Sequence, residues 1–443
     1  MGFLSNSTLA KYVRAIKNSP REIIFNRRLM VSAALYAAAG IPIILRSFGI
    51  TSGANTSQIS NFISFVYLTA GVGAGLSFFI NDRIGRLCLG IGPLTVTGPI
   101  SIVEIAPYEI VMLLSLTVSC FVVYASFLYI AVSRLQYQVV WFVPCIVIAV
   151  IIGLSFVAIS ESPLWRFLAG RDSEAIEILA ALRGLPADNP YVAREIAEIQ
   201  NQIENEHAKY GDATGGGLTT ILKETCLVPA NLRRVQQACL SYILAQLSGA
   251  NSVTSYLVPI LTMIGVGGST DRPMFLTGMY SMSKVFYTLI ASFFFIDALG
   301  RRKSLFIGIT IQMISDIYIG VFLKYKQADS VAPGSSEGAI AAIYIHGFSY
   351  AIGLLVLPYI FGAELWPNNI RSFGSARSQT FHWSFYFSVN KGTPSMLSSM
   401  HNWGTFLFFA GWRFVALLYV FVAVPETAGL SMEATDKLFE GPF

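Results

Sequence analysis

Gly338 to Ala363 reads GAIAAIYIHGFSYAIGLLVLPYIFGA, a stretch without one Asp, Glu, Lys or Arg. A helix that crosses a bilayer needs about 20 mostly apolar residues, so this segment is long enough to span one. Uncharged runs recur at 47–81, 135–160 and 235–270. Over the 443 residues, 54% are hydrophobic and 12% charged, about half the charge of an ordinary soluble domain. A large soluble core could be this apolar, but it would not come in helix-length blocks split by basic loops. The chain is expected to be an all-α polytopic membrane protein.

Spans are expected near 29–46, 61–80, 87–103, 110–133, 139–159, 235–263, 274–296, 304–323, 339–362, 373–398 and 404–424, which is eleven helical segments. They divide the chain into a tail (1–28), a first membrane half (29–159), a polar linker (160–234), a second membrane half (235–424) and a final tail (425–443). The linker carries 8 Lys/Arg and 11 Asp/Glu, and its stretch from Ser173 to His207 has the apolar spacing of an amphipathic surface helix. Gly215, Gly216 and Gly217 mark a break after it. The N-terminus shows no cleavable signal pattern; the run from Leu29 reads as the first membrane helix. Cys88, Cys120, Cys145, Cys226 and Cys239 show no paired spacing and are expected to be packing residues, so no metal or other cofactor is expected.

Basic residues set the orientation. Lys11, Arg14, Lys17, Arg21, Arg27 and Arg28 precede the first span, and Arg83, Arg86, Arg166, Arg171, Arg233, Arg234, Arg301, Arg302 and Lys303 flank later ones. Such residues collect on the cytoplasmic side, which places both termini there. The net charge of +5 is accounted for by these loops, so nucleic acid is not expected as a partner.

Short motifs repeat in the same order in both halves. Asp82-Arg83-Ile84-Gly85-Arg86 is echoed by Asp297-Ala298-Leu299-Gly300-Arg301-Arg302, Glu104-Ile105-Ala106-Pro107 by Glu364-Leu365-Trp366-Pro367, and Glu161-Ser162-Pro163 by Pro425-Glu426-Thr427. Parallel repeats of this kind build the two halves of one large transporter class. The spacings differ in one interval. Asp82 to Glu104 is 104 − 82 = 22 residues, whereas Asp297 to Glu364 is 364 − 297 = 67, so the first half is expected to lack its third helix. A lone crossing by 87–103 would turn Arg166, Arg233, Arg301 and Arg302 outward. That segment holds Gly90, Gly92, Pro93, Gly98 and Pro99, a poor continuous helix, and is expected not to cross in the ordinary way.

At these motifs the sequence resembles the sugar porters of the major facilitator superfamily, in particular fungal hexose and quinate-like transporters. The similarity runs over nearly the whole chain, and its most specific part is Val424-Pro425-Glu426-Thr427-Ala428-Gly429-Leu430-Ser431. The resemblance implies a transporter of a sugar or related polyhydroxylated solute, set in the plasma membrane and working by alternating access. It also implies an intracellular gate of charged helix ends: Asp82, Arg83, Arg86, Glu161, Asp297, Arg301, Arg302, Glu364, Arg371 and Glu426. Carboxylates and guanidinium groups at facing helix ends can pair in one state and part in another, although the arginines could simply set topology.

The solute site is expected on Gln246-Leu247-Ser248-Gly249-Ala250-Asn251, because amide side chains both donate to and accept from hydroxyl groups. Gln246 and Asn251 are five apart, not the four that would stack them, and Gly249 loosens the helix between them. The bland alternative is helix-to-helix adhesion by small and polar residues. By resemblance, Gln246 and Asn251 bind sugar hydroxyls, Tyr256 stands near the outer gate, and Tyr359 and Trp383 offer flat rings to the solute, unless they only pack.

Departures from the family pattern are Ala245 and Ser119 at glutamine positions, Val111-Met112 at an Arg-Gly pair, and His382 at an asparagine position. No acid lies between Leu29 and Leu45, where proton-coupled members carry an aspartate. These changes argue against efficient hexose transport and against proton symport, and favour a facilitative mode. Lys284 and Lys391 read as snorkelling or paired cations, Asp316 has no partner evident in sequence, and His346 and His401 stand alone. A sugar sensor and an inactive truncated product are the alternatives, the first disfavoured by the short tail after Pro425. No nucleophile–base pair or phosphate loop suggests an enzyme.

Overall fold

The computed structural model describes residues 68, 70–76, 162–210, 218–266, 271–296, 299–332, 334–427 and 439. Every regular element among them is helical. The spans expected at 29–46, 87–103, 110–133 and 139–159 lie outside the described residues, as do most of 61–80 and the question of the missing third helix.

The linker begins with α1 (Pro163–Leu168), whose first-turn Pro163 and N-cap Ser162 are the residues of the Glu161-Ser162-Pro163 motif. The Trp165 amide donates to Ser162 Oγ at 3.3 Å, so this motif doubles as a helix start. The amphipathic stretch from Ser173 to His207 forms two helices, α2 (Asp172–Arg183) and α3 (Pro190–Tyr210). Gly184 ends α2 in the left-handed region at φ 68°, and Pro186 and Pro190 prevent a direct continuation. The buried Arg183 guanidinium bridges the two as a fork, with Nε at 2.9 Å and Nη2 at 2.5 Å from the Glu195 carboxylate.

α4 (Leu218–Leu227) leads into the second membrane half. The span expected at 235–263 is three pieces: α5 (Pro229–Leu247), α6 (Ala250–Ser255) and α7 (Leu257–Ile264), interrupted at Ser248-Gly249 and again at Tyr256. α8 (Asp271–Ile290) widens into a π-helical turn over Ala291–Ile296. α9 (Arg301–Gln327) follows, then α10 (Ser335–Tyr350) with a π-helical turn at Ala351–Leu355, α11 (Leu357–Glu364), α12 (Asn368–Ser399) and α13 (Trp403–Ala423).

Among the described residues, four helical stretches are long and apolar enough to cross a membrane: Phe275–Ile296, Arg301–Gln327, Ser335–Tyr359 and Trp403–Ala423. α5 and α12 fall short of that composition because their polar side chains point inward. Asn231, Gln237, Ser241 and Gln246 on α5 are buried, as are Ser375, Gln379, His382 and Asn390 on α12. Polar interiors of this kind mark a solute pathway in membrane proteins more often than they add stability.

Small residues bring the helices close. On the first-half piece 70–76, Ala70 and Ala74 are buried against Trp383 and Tyr386 of α12, and a Cβ at Gly71 would lie 3.3 Å from Trp383 Cβ. Without a hydrophobic drive between helices in lipid, such close approaches supply the packing. Backbone meets backbone between α9 and the π-turn after α10. A Cβ at Gly308 would sit 2.6 Å from the Gly353 nitrogen and 2.7 Å from the Ser349 oxygen, and both are backbone atoms. Gly308→Ala is therefore expected to destabilise the protein by about 1–3 kcal/mol, the usual range for overpacking. Thermal unfolding of the detergent-purified variant checks this, and a melting temperature equal to wild type would contradict the assigned contact.

Candidate functional site

Gly249 makes the site. Its φ of +72° is a left-handed conformation that ends α5 and starts α6. A side chain there would also collide with the Phe409 ring of α13, only 2.4 Å from a Cβ. The break cancels the mismatch in spacing between Gln246 and Asn251. Asn251 Nδ2 donates to Gln246 Oε1 at 2.9 Å, so the two amides bind each other directly.

From this pair a polar chain runs across the interior. Asn251 Nδ2 also donates to the Tyr350 hydroxyl at 3.3 Å. Gln246 Nε2 lies 3.1 Å from His382 Nδ1, and His382 Nε2 lies 3.2 Å from the Tyr359 hydroxyl. An amide NH₂ can only donate, so Nδ1 accepts and the imidazole proton sits on Nε2, facing Tyr359. Beside it, Gln379 Nε2 donates to the Tyr242 hydroxyl at 2.7 Å, and the Tyr242 ring stands edge-on to His382 and Tyr359. The result is a row of alternating donors and acceptors walled by rings, which suits a solute carrying several hydroxyl groups.

The remaining expected site residues fall close by. The Tyr256 hydroxyl donates to the Asn390 carbonyl at 3.2 Å, tying the α6–α7 junction to α12. Trp383 is buried beside His382, but it also packs against Ala70 and Ala74, at the contact between the two halves. Lys284 of α8 donates to Thr254 Oγ1 at 2.7 Å, one turn beyond Asn251, and lies over the Tyr280 and Tyr350 rings.

Sequence reading treated His382 only as a departure and passed over Tyr242, Tyr350 and Gln379. Tyr242 stands four residues before Gln246 and Gln379 three before His382, so both share a helix face with a named residue. Tyr350 carries no such signal, because it comes from another helix.

Of the expected gate, Asp82, Arg83, Arg86, Glu161 and Asp297 lie outside the described residues, as does the side chain of Glu364. The Glu426 carboxylate accepts from the backbone amides of Arg301 at 2.8 Å and Arg302 at 3.2 Å, so it caps the N-terminus of α9. Arg301 Nη1 reaches Thr427 Oγ1 at 3.1 Å, and Arg302 Nη2 reaches the Phe421 carbonyl at 2.6 Å. Arg371 is buried, with Nε 3.3 Å from the Trp366 carbonyl.

Asp316, without an evident partner in the sequence, forms an ion pair with Arg413, and both are fully buried. His346 is not isolated either: its Nε2 lies 2.8 Å from Arg413 Nη2. Of the cysteines described, Cys239 is buried and Cys226 is exposed rather than a core residue.

A carboxylate on two helix-end amides is a charge-assisted contact of about 1–3 kcal/mol. Glu426→Ala is expected to lower thermal stability by that amount in detergent, with Glu426→Gln losing less. Equal melting of wild type and Glu426→Ala would mean the cap contributes nothing.

A bundle of interrupted helices with a polar interior row and an apolar outside is the architecture of a multi-pass membrane protein. The chain belongs to the family described as sugar (and other) transporter, whose model matches residues 59–439. It is 29% identical over 384 residues to a probable quinate permease of Aspergillus niger, covering 83% of this chain and 69% of that protein. A second, from Aspergillus flavus, is 29% identical over 307 residues, covering 68% of this chain but 56% of its own length. Its fold is similar to that of the proton:xylose symporter XylE bound to 6-bromo-6-deoxy-D-glucose, with a TM-score of 0.72 at 18% identity over 97% of this chain and 100% of that one.

Proposed function

We propose that the chain is a facilitative transporter, not an enzyme, for a sugar or related polyhydroxylated solute, and that it works by alternating access. The observation that carries this is the hydrogen-bonded row Tyr350–Asn251–Gln246–His382–Tyr359 beside the helix break. Each of these bonds can be exchanged for one to a solute hydroxyl, and a solute that binds one conformation better shifts the balance between outward and inward states. The family and the quinate permeases among its relatives support the solute class. Lys284, which donates to Thr254 one turn beyond Asn251, would meet a carboxylate if the solute is an acid. A facilitative mode is supported by the absence of an acid between Leu29 and Leu45 and by the pairing of Asp316 with Arg413.

Counterflow of labelled quinate or D-xylose in proteoliposomes is the expected result, unchanged when the proton gradient is collapsed. Uptake above equilibrium that a protonophore abolishes would overturn the facilitative part. In the same vesicles Gln246→Ala and Asn251→Ala should each weaken binding roughly 5- to 150-fold, since each leaves a desolvated hydroxyl unpaired at about 1–3 kcal/mol. Lys284→Met should weaken quinate binding more than that of neutral D-xylose. Unchanged affinity in both amide variants would remove the site assignment.

The proposal includes a plasma-membrane location, cytoplasmic termini and a segment 87–103 that does not cross singly. The glycines, prolines and charge pattern of that region motivate it. Single cysteines beside Arg171 and Arg302 should stay protected from an impermeant reagent until the cells are permeabilised. Ready labelling of both on intact cells would show an inverted topology.

A further inference from the structure

Three fully buried side chains from three helices meet behind the solute site: Asp316 of α9, His346 of α10 and Arg413 of α13. An arginine inside a membrane protein needs a partner, and Asp316 pairs with its Nη1. That ion pair leaves the rest of the guanidinium fork to be placed. Nη2 donates to the Ser248 carbonyl and to His346 Nε2, which holds the guanidinium from the side of α10.

Ser248 is the last residue before the break in the solute-binding helix. A helix end leaves its final carbonyls without intrahelical partners and carries the negative end of the helix dipole. Lipid cannot serve these carbonyls, so where they are buried, as at Ser248, protein groups must. Arg413 supplies both a donor and a positive charge at that end. One turn earlier on the same face of α13, the Phe409 ring covers Gly249 so closely that no Cβ would fit. Phe409 and Arg413 thus hold the two residues of the break, one each, and Gln246 and Asn251 lie two residues to either side of it.

We propose that Arg413 is a positioning residue for the solute site. Neutralised by Asp316 and steadied by His346, it fixes the Ser248 carbonyl and thereby the angle at which Gln246 and Asn251 present their amides. This rests on the reading of Gln246 and Asn251 as solute ligands. Arg413 itself touches no solute. A merely structural ion pair would change stability when removed and leave solute affinity alone.

The test uses the full-length protein with labelled quinate and D-xylose as probes. Arg413→Met alone strands a buried carboxylate and invites misfolding, so the informative variant is Asp316→Leu with Arg413→Met. Buried ion pairs replaced together by apolar residues are often tolerated without loss of stability. The double variant is expected to melt near wild type while binding the probe roughly 5- to 20-fold more weakly, a shift within the usual range of coupling between neighbouring residues. Adding Gln246→Ala to the double variant should cost less affinity than Gln246→Ala costs in wild type, because the amide is already misplaced. Arg413→Lys keeps the charge balance and lacks the fork, so it should fold and recover part of the affinity. Wild-type affinity in the double variant, or losses that add fully with Gln246→Ala, would overturn the proposal. If the double variant fails to fold, Arg413→Lys decides alone, and full affinity in it is the overturning result. If folded wild type binds neither probe, the reading of the solute site fails, and this inference falls with it.

Discussion

The backbone carbonyl of the buried Ser248 accepts from the Arg413 guanidinium in the middle of a helical bundle. Lipid offers neither donors nor acceptors, so a helix can break there only if protein groups replace the missing hydrogen bonds. The break needs Gly249, because the conformation is left-handed and the Phe409 ring leaves no room for a side chain. It needs the Arg413 donor at the freed carbonyl. Arg413 in turn needs Asp316, because a lone guanidinium at that depth is expensive. Much of the second half is arranged around this one interruption, and the amides of Gln246 and Asn251 are brought together by it.

The distribution of polarity follows from the same solvent. α9, the α10 segment and α13 are apolar enough to face lipid, while α5 and α12 hide glutamine, asparagine, histidine and serine on their inner faces. In water an inward polar face would be a defect. Here the inward polar groups bind one another, and the helices that carry them are held close by small residues such as Gly308 against Gly353 and Ala74 against Trp383. The charges described at the start of α9 also find backbone partners. Glu426 binds the first amides of α9, so a residue from the end of the last helix sets the start of a helix more than a hundred residues earlier.

Local chemistry was legible in the sequence. Solubility in lipid depends on composition over about 20 residues, so the membrane class could be read directly, and the expected spans at 274–296, 304–323, 339–362 and 404–424 coincide with helical stretches apolar enough to cross, whereas 235–263 proved to be three pieces. The repeated motifs identified the family, which the match over residues 59–439 establishes. Gln246 and Asn251 stood out because amides are rare in apolar runs, and Gly249 stood out as a weak point between them. The single amphipathic helix expected from Ser173 to His207 is instead split at Gly184, whose left-handed conformation ends α2, and Pro186 and Pro190 keep it from resuming at once.

Partner choice was not legible, and only the tertiary structure decided it. Asp316 and Arg413 sit on different helices with three others, α10, α11 and α12, between them in sequence, and neither position says which face of its helix meets the other. His382 looked like a substitution and is the hub of the polar row, because Gln246, Tyr359 and Tyr242 converge on it from α5 and α11. Sequence determined the membrane class, the family and the polar residues carried within the second-half helices, since entry into lipid depends on transfer from water, residue by residue. Which of those polar residues satisfy one another depends on the order and rotation of helices packed side by side, and that is set only when the whole bundle closes.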